Sequence, residues 1–272
     1  MLETPFFFQN GSYNLFGVLH KPMDGANGMG FVFVHPFAEE KLWTQRVFVS
    51  FARELAVRGY SVLRVDFMGH GDSDGNFEDS SVETQLSDIQ CTLLTLKERA
   101  PYINEFGLLG LRFGATLAAV SAGKLPDIKK LILWDPIVDG SKYMQEMLRI
   151  NLTTQTTVYK EIRHTRNDLV QMMKEGKTVN VDGYEMSYIL FEQASSINLL
   201  QNDKKYSGDC LIVQISKKEE AFKKNLENLK AAYAKAELIL SIEEPFWKEI
   251  KTFYSKAENL FHNTLSWLEA RQ

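Results

Sequence analysis

The 272-residue chain is poor in the features that mark specialised classes of protein. It has only two cysteines, Cys91 and Cys210, too few for a disulfide framework or a cysteine-based metal site. No apolar run approaches the roughly 18 residues of a membrane span. Basic side chains hold no majority: 31 Lys and Arg stand against 35 Asp and Glu, a formal net charge of −4. A nucleic-acid binder would carry a basic face, so that class is set aside. The N-terminal stretch, Met1 to Asn14, has no basic leader and only a three-residue apolar run, so it does not read as a signal peptide. Repeats and low-complexity segments are absent. No metal cluster, phosphate loop or G-x-G-x-x-G fingerprint is visible, and no cofactor is expected. What remains is a soluble, cytoplasmic globular protein. A chain this long can bury roughly three quarters of its unfolded surface, within one domain or one domain carrying an insertion.

Strand-like and helix-like segments alternate, which points to an α/β fold with a mainly parallel sheet and helices on both faces. Phe6–Gln9 and Leu15–His20 read as a strand pair around Asn10-Gly11, a strong hairpin dipeptide. Gly30–His35 is a continuous apolar run, the pattern of a strand buried on both faces. Arg46–Val57 carries Val47, Phe48, Phe51 and Leu55 at helical spacing, with Gly59 as its stop. Further strands are expected at Ser61–Val65, Phe106–Gly110 and Lys130–Trp134, and helices at Val82–Arg99 and Phe113–Gly123. Ser141–Leu200 is polar and Thr-rich, holds five of the nine methionines, and reads as an inserted helical lid. After it come a strand at Leu211–Ile215, a helix at Glu219–Tyr233, a strand at Glu237–Ile242 and a closing helix at Thr252–Ala270. Six strands thus precede the insertion and two follow it. The core is expected at 1–139 and 206–272, with the cap at 140–205.

In such sheets ligands bind beyond the carboxyl ends of the strands. The loops there follow His35, Asp66, Gly110, Asp135 and Ser216. The third is the most telling: Leu109-Gly-Leu-Arg-Phe-Gly-Ala115 runs from a strand through Gly110-x-x-x-Gly114 straight into a helix. This layout resembles the α/β-hydrolase superfamily, whose G-x-S-x-G nucleophile elbow is such a turn. His35-Pro-Phe37 stands where that superfamily places its oxyanion loop. Asp66–Gly75, DFMGHGDSDG, resembles a loop of its lipases and esterases, and the insertion after the sixth strand falls where its cap does. Four short segments, Pro36–Glu40, Leu111–Ala115, Trp134–Gly140 and Gly183–Ser187, are similar to hydrolase-like proteins associated with bacterial exosortase A systems. Those are encoded beside exopolysaccharide and protein-sorting genes. This similarity implies a fold more than a reaction.

The chain departs from the superfamily pattern at the elbow. Its centre is Arg112, and a permanently protonated guanidinium cannot be a nucleophile. After the last strand the chain reads Glu-Glu-Pro-Phe-Trp-Lys-Glu, without the histidine the pattern requires, and His262 comes only ten residues into the expected closing helix. Glu219 and Glu220 stand where an acid could be, yet acids in a first helical turn are ordinary dipole partners. Asp135 ends the sixth strand, a position that some superfamily members use for the triad acid. The resemblance therefore implies a degenerate Ser-His-Asp triad. Its expected role is a non-hydrolytic protein, binding an anionic or acyl small molecule or a protein partner and linked to exosortase or exopolysaccharide systems. The alternative is an unconventional acyl ester or thioester hydrolase or acyltransferase, using Arg112 with Asp135 and His35; His35, near the pocket mouth, reads as a structural histidine before a base.

The candidate pocket comprises Phe37, Glu39, Glu40, Arg112, Phe113 and Asp135. A cation at a helix N-terminus is unfavourable and needs compensation. Arg112 either pairs internally with Glu39, Glu40 or Asp135, or joins the amides of Phe37 and Phe113 in an anion site. Met144, Met147, Met172, Met173 and Met186 read as packing, or with Tyr143, Tyr184, Tyr188 and Phe191 as a slot for an acyl or aromatic group. His70 reads as loop packing and His164 as exposed. Lys217, Lys218, Lys223 and Lys224 read as a solvated helix face.

Overall fold

A computed structural model describes residues 1–201, 206–248 and 254–271. The chain opens with β1 (Leu2–Asn10) and β2 (Tyr13–Lys21), joined at Gly11, whose φ of 62° suits the tight turn. Then come β3 (Met29–Val34), α1 (Glu39–Val57), β4 (Ser61–Asp66), α2 (Val82–Arg99), β5 (Glu105–Leu111), α3 (Phe113–Ala122) and β6 (Ile128–Trp134). The inserted segment holds α4 (Gly140–Tyr159), α5 (Arg166–Lys174), β7 (Val179–Val181), β8 (Tyr184–Met186) and α6 (Tyr188–Ser196). Finally β9 (Asp209–Ser216), α7 (Lys224–Ala232), β10 (Ala236–Ile242) and α8 (Glu258–Glu269) complete the chain. The main sheet has eight strands in the order β1-β2-β4-β3-β5-β6-β9-β10, parallel except for β1 and β2.

Strand side chains alternate between the two faces. Phe31, Phe33, Leu109, Leu111, Ile132 and Trp134 pack with Phe48 and Phe51 of α1 and Phe261 of α8. Val32, Val34, Leu108, Leu131 and Leu133 pack on the other face, with residues of α2 and α3. Both sides of β3 are therefore covered, which accounts for its uninterrupted apolar run. The second cluster continues into the insertion through Met144, Leu148, Met173, Met186 and Leu190, all buried. Of the five lid methionines, Met144, Met147, Met173 and Met186 are core packing.

Two expectations need correction. The helix expected from Glu219 starts only at Lys224. Buried Gln214 of β9 holds residues 220–223 in a loop: its Oε1 accepts from the Lys223 amide at 2.7 Å and its Nε2 donates to Ala221 O at 3.2 Å. These bonds satisfy backbone groups that helix formation would otherwise claim. The lid also contains the β7–β8 hairpin, turned at Asp182-Gly183. The expected start of the closing helix, Thr252, lies outside the described residues, and α8 begins at Glu258.

Candidate functional site

From β3 the chain passes to β4 on one side and later to β5 on the other, so a crevice forms beyond the carboxyl ends of β3 and β5. The register sets what meets there. Val34 pairs with Gly110 and Leu111 with Trp134, so the loops after β3, β5 and β6 start side by side. Each carries a non-glycine residue with positive φ: Ala38 at 48°, Arg112 at 55° and Asp135 at 41°. Such conformations cost on the order of 1–3 kcal/mol each and persist only where the surroundings enforce them.

Close packing enforces the turn at Arg112. A Cβ at Gly110 would fall 2.4 Å from Gly114 O, and one at Gly114 would fall 2.3 Å from both Val34 O and His35 O. Only glycine permits this approach of helix to strand. The Arg112 amide donates to Trp134 O at 2.9 Å, and its carbonyl accepts from Ala115 and Thr116 as α3 begins. The side chain is thereby carried over the end of the sheet.

There the guanidinium is saturated with negative charge. Arg112 Nε donates to Glu40 Oε1 at 3.2 Å and Nη1 to Asp135 Oδ2 at 3.1 Å. The Tyr143 hydroxyl donates to Glu40 Oε2 at 3.1 Å, and Lys223 Nζ to Asp135 Oδ1 at 3.0 Å. Trp247 lies 5.0 Å and Tyr143 5.8 Å from the guanidinium carbon, within cation–π range. Two cations and two carboxylates thus form a neutral cluster whose Asp135 and Arg112 side chains are 3% and 13% exposed. Burial alone would lower the Arg112 pKa, but Glu40 and Asp135 overcome it and raise it. Burial pushes the Glu40 carboxyl up, with Arg112 and Tyr143 opposing. Burial, reinforced by Glu40, drives the Tyr143 phenol well above its ordinary range.

Above the cluster, between α1, α4 and β7, lies a cavity of about 620 Å³. Of the expected pocket residues, Phe37, Glu39, Glu40 and Arg112 line it. Phe113 is buried below, stacked 5.6 Å from Tyr143, and Asp135 lies behind Arg112. Sequence reasoning missed Ala38, Trp43, Glu146, Ile150, Val181, Asp182, Trp247 and Lys248, which with Met147 complete the described lining. Lys223, expected with Lys217, Lys218 and Lys224 on a solvated helix face, instead reaches Asp135 from the loop before α7. Met147 is the one lid methionine on the described lining, and Tyr143, Tyr184, Tyr188 and Phe191 are not part of it, so a slot built from those aromatics is not formed.

His35 requires a further correction, because it is not at the pocket mouth. Its ring is buried and stacks 4.4 Å from Phe48, with neither nitrogen hydrogen-bonded among the described residues. Burial holds its pKa well below the usual histidine value. His70 is buried too, with Nδ1 3.0 Å from Met68 O, and His164 is exposed. Glu219 and Glu220 fall in the loop before α7, where Glu220 accepts from Gln214. His262 is exposed, in the second turn of α8. Among the described residues no group of three or more His, Cys, Asp and Glu could hold a metal ion, and no helix is long and apolar enough to cross a membrane.

Strand order, elbow and inserted segment together define an α/β hydrolase. Residues 30–214, more than half of the chain, match the family described as serine aminopeptidase, S33, and the chain belongs to that family. No curated protein matches it. Among solved structures, the chain is similar to Est1E from Butyrivibrio proteoclasticus, solved with ferulic acid bound: TM-score 0.68, 16% identity, 98% of each chain covered. It is also similar to an esterase from Pyrococcus furiosus, with TM-score 0.65, 17% identity, and 99% of this chain and 91% of that one covered. The α/β hydrolase GrgF from a Penicillium species gives TM-score 0.67 and 16% identity over 99% of each chain. Likeness at these identities establishes the fold and leaves the chemistry to the site.

Proposed function

We propose that this chain is a non-hydrolytic member of its family that binds a small acyl or aromatic molecule in the cavity above Arg112. One observation carries the reading. The side chain presented by the strand-to-helix turn is a guanidinium held by Glu40 and Asp135, and the described cavity lining contains no Ser, Thr, Cys or His. Catalysis of the serine-hydrolase kind needs a hydroxyl or thiol within reach of an imidazole base, and neither group stands on that described lining. The acyl or aromatic ligand is supported by walls of Phe37, Trp43, Met147, Ile150, Val181 and Trp247. The anion reading loses its support, because Arg112 is already neutralised and Glu39, Glu40, Glu146 and Asp182 outnumber Arg112 and Lys248 on the lining. A setting beside bacterial exosortase or exopolysaccharide machinery is supported by the resemblance of four short segments.

The test combines a serine-directed fluorophosphonate, p-nitrophenyl acetate and an acyl thioester with native mass spectrometry. The expected outcome is no labelling, turnover at the buffer rate, and a copurifying or added acyl ligand retained by the folded chain. Arg112→Ser is expected not to create turnover, since the described lining of the cavity holds no histidine. Turnover that Asp135→Asn or His35→Ala abolishes would sink the reading and favour the unconventional hydrolase.

A further inference from the structure

At the opposite end of the sheet, a cavity of about 750 Å³ lies at the amino ends of β3, β5, β6 and β9. Its size falls in the range of small-molecule sites. Met29, Ile128 and Leu268 give it a buried apolar floor. Its described walls carry five cations, Lys124, Lys129, Lys130, Lys235 and Arg271, against two carboxylates, Glu105 and Asp209. The chain as a whole is acidic, so this positive surplus is local.

The cations are unevenly engaged. Lys130 is buried, and its Nζ donates to Asp209 Oδ2 at 2.8 Å and to Arg271 O at 3.0 Å. An ammonium has three donors, so one is left over. Arg271 pairs with Glu237. Lys124, Lys129 and Lys235 form no ion pair among the described residues, although Lys130, Lys235 and Arg271 all bear on the Asp209 carboxyl and hold it below its ordinary value, the Lys130 bond first. Two ammonium groups and a guanidinium thus act on one carboxylate. Tyr206, also on the wall, is buried, and its hydroxyl has no partner among the described residues. A Cβ at Gly208 would lie 2.1 Å from that oxygen, so the glycine is what leaves it room.

We propose that this basal cavity is a second ligand site, for a phosphate-bearing organic molecule, with the phosphate between Lys124, Lys130 and Lys235 and the organic part on the Met29, Ile128 and Leu268 floor. Lysine ammonium groups act as point charges on mobile stems and suit the several charged oxygens of a phosphate. The volume exceeds what a phosphate group alone would fill. The site shares no lining residue with the cavity above Arg112, so it stands or falls independently of the reading given for that cavity.

Calorimetric titration of the full chain with inorganic pyrophosphate and with ADP tests this. Both are expected to bind, ADP the more tightly. The double charge reversal Lys124→Glu and Lys235→Glu is expected to weaken both by about tenfold or more, with an unchanged circular dichroism spectrum. Both lysines are exposed. Should that variant fail to fold, Lys124→Gln and Lys235→Gln singly are expected to weaken binding severalfold. No binding of either probe, or equal binding by wild type and variants, overturns the proposal. Equal affinity for pyrophosphate and ADP overturns the placement of the organic part.

Discussion

Arg112 and Arg64 are both buried guanidiniums, and the fold accommodates them by different means. Arg112 touches two carboxylates directly. Arg64, on β4, donates through Nε to Nε2 of His20 on β2 at 2.9 Å, and its pKa is lowered by burial, with Asp66 and Glu3 only partly offsetting this. His20 in turn sits 3.2 Å from Glu3 of β1, which accepts from Arg53 of α1 at 2.6 and 3.1 Å. The first arginine belongs to a closed neutral cluster. The second rests on a ring that must stay neutral, since a protonated imidazole has no lone pair to accept with. A buried cation can thus be matched by opposite charge or by a neutral acceptor, and the neutral ring fails as an acceptor once it is protonated.

The largest expected effect breaks the first arrangement. Asp135→Asn or Glu40→Gln leaves buried positive charge without its partner and is expected to cost about 3–5 kcal/mol in chemical unfolding. A loss below about 1 kcal/mol would show that the cluster is not the closed unit described.

The second arrangement should respond to acid. Folding holds the pKa of His20 down at about 4, chiefly through burial and then through Arg64, from an ordinary value of 6.5. The unfolded chain therefore takes up a proton below about 6.5 that the folded ring refuses until about 4, and stability falls as pH falls through that window. The expected loss is about 3 kcal/mol at its full extent. His70, lowered to about 4 by burial, adds to the same limb. Unfolding free energies measured between these pH values should flatten partly in His20→Gln and in His70→Asn. An unchanged slope in both would refute the neutral-ring account.

The smallest effect sharpens the first arrangement. Lys223 is 46% exposed, so Lys223→Ala should cost no more than about 1 kcal/mol in thermal unfolding, far below Asp135→Asn. Comparable losses would mean that Lys223, not Arg112, is the main partner of Asp135.

Much of this was legible in the residues. α2 falls at Val82–Arg99, where it was expected, and all eight strands of the main sheet were visible as apolar runs between turn signals. The pairing of Arg112 with Glu40 and Asp135 was among the options, because all three stand at neighbouring strand ends. Lys223 was hidden because its loop is held by Gln214, a contact between residues nine apart that no local pattern encodes. The β7–β8 hairpin did leave a signal, Asp182-Gly183, but three-residue strands are too short to show alternation. His35 stands at the end of a central strand, and only the tertiary packing turns its ring onto Phe48 rather than into the crevice. Trp43 and Trp247 lie about two hundred residues apart in segments with no shared pattern, and their convergence is a property of the fold alone.

The backbone of Ala38, with φ 48° and ψ −130°, nearly repeats that of Arg112, with φ 55° and ψ −123°. The same bend is thus built twice, once around a methyl group and once around a guanidinium. Position 112 behaves as a mounting point whose backbone is fixed by Gly110 and Gly114. Saturation mutagenesis there would swap the instrument aimed at the crevice while leaving the stand in place, and β-branched residues, which tolerate positive φ worst, would be the ones rejected.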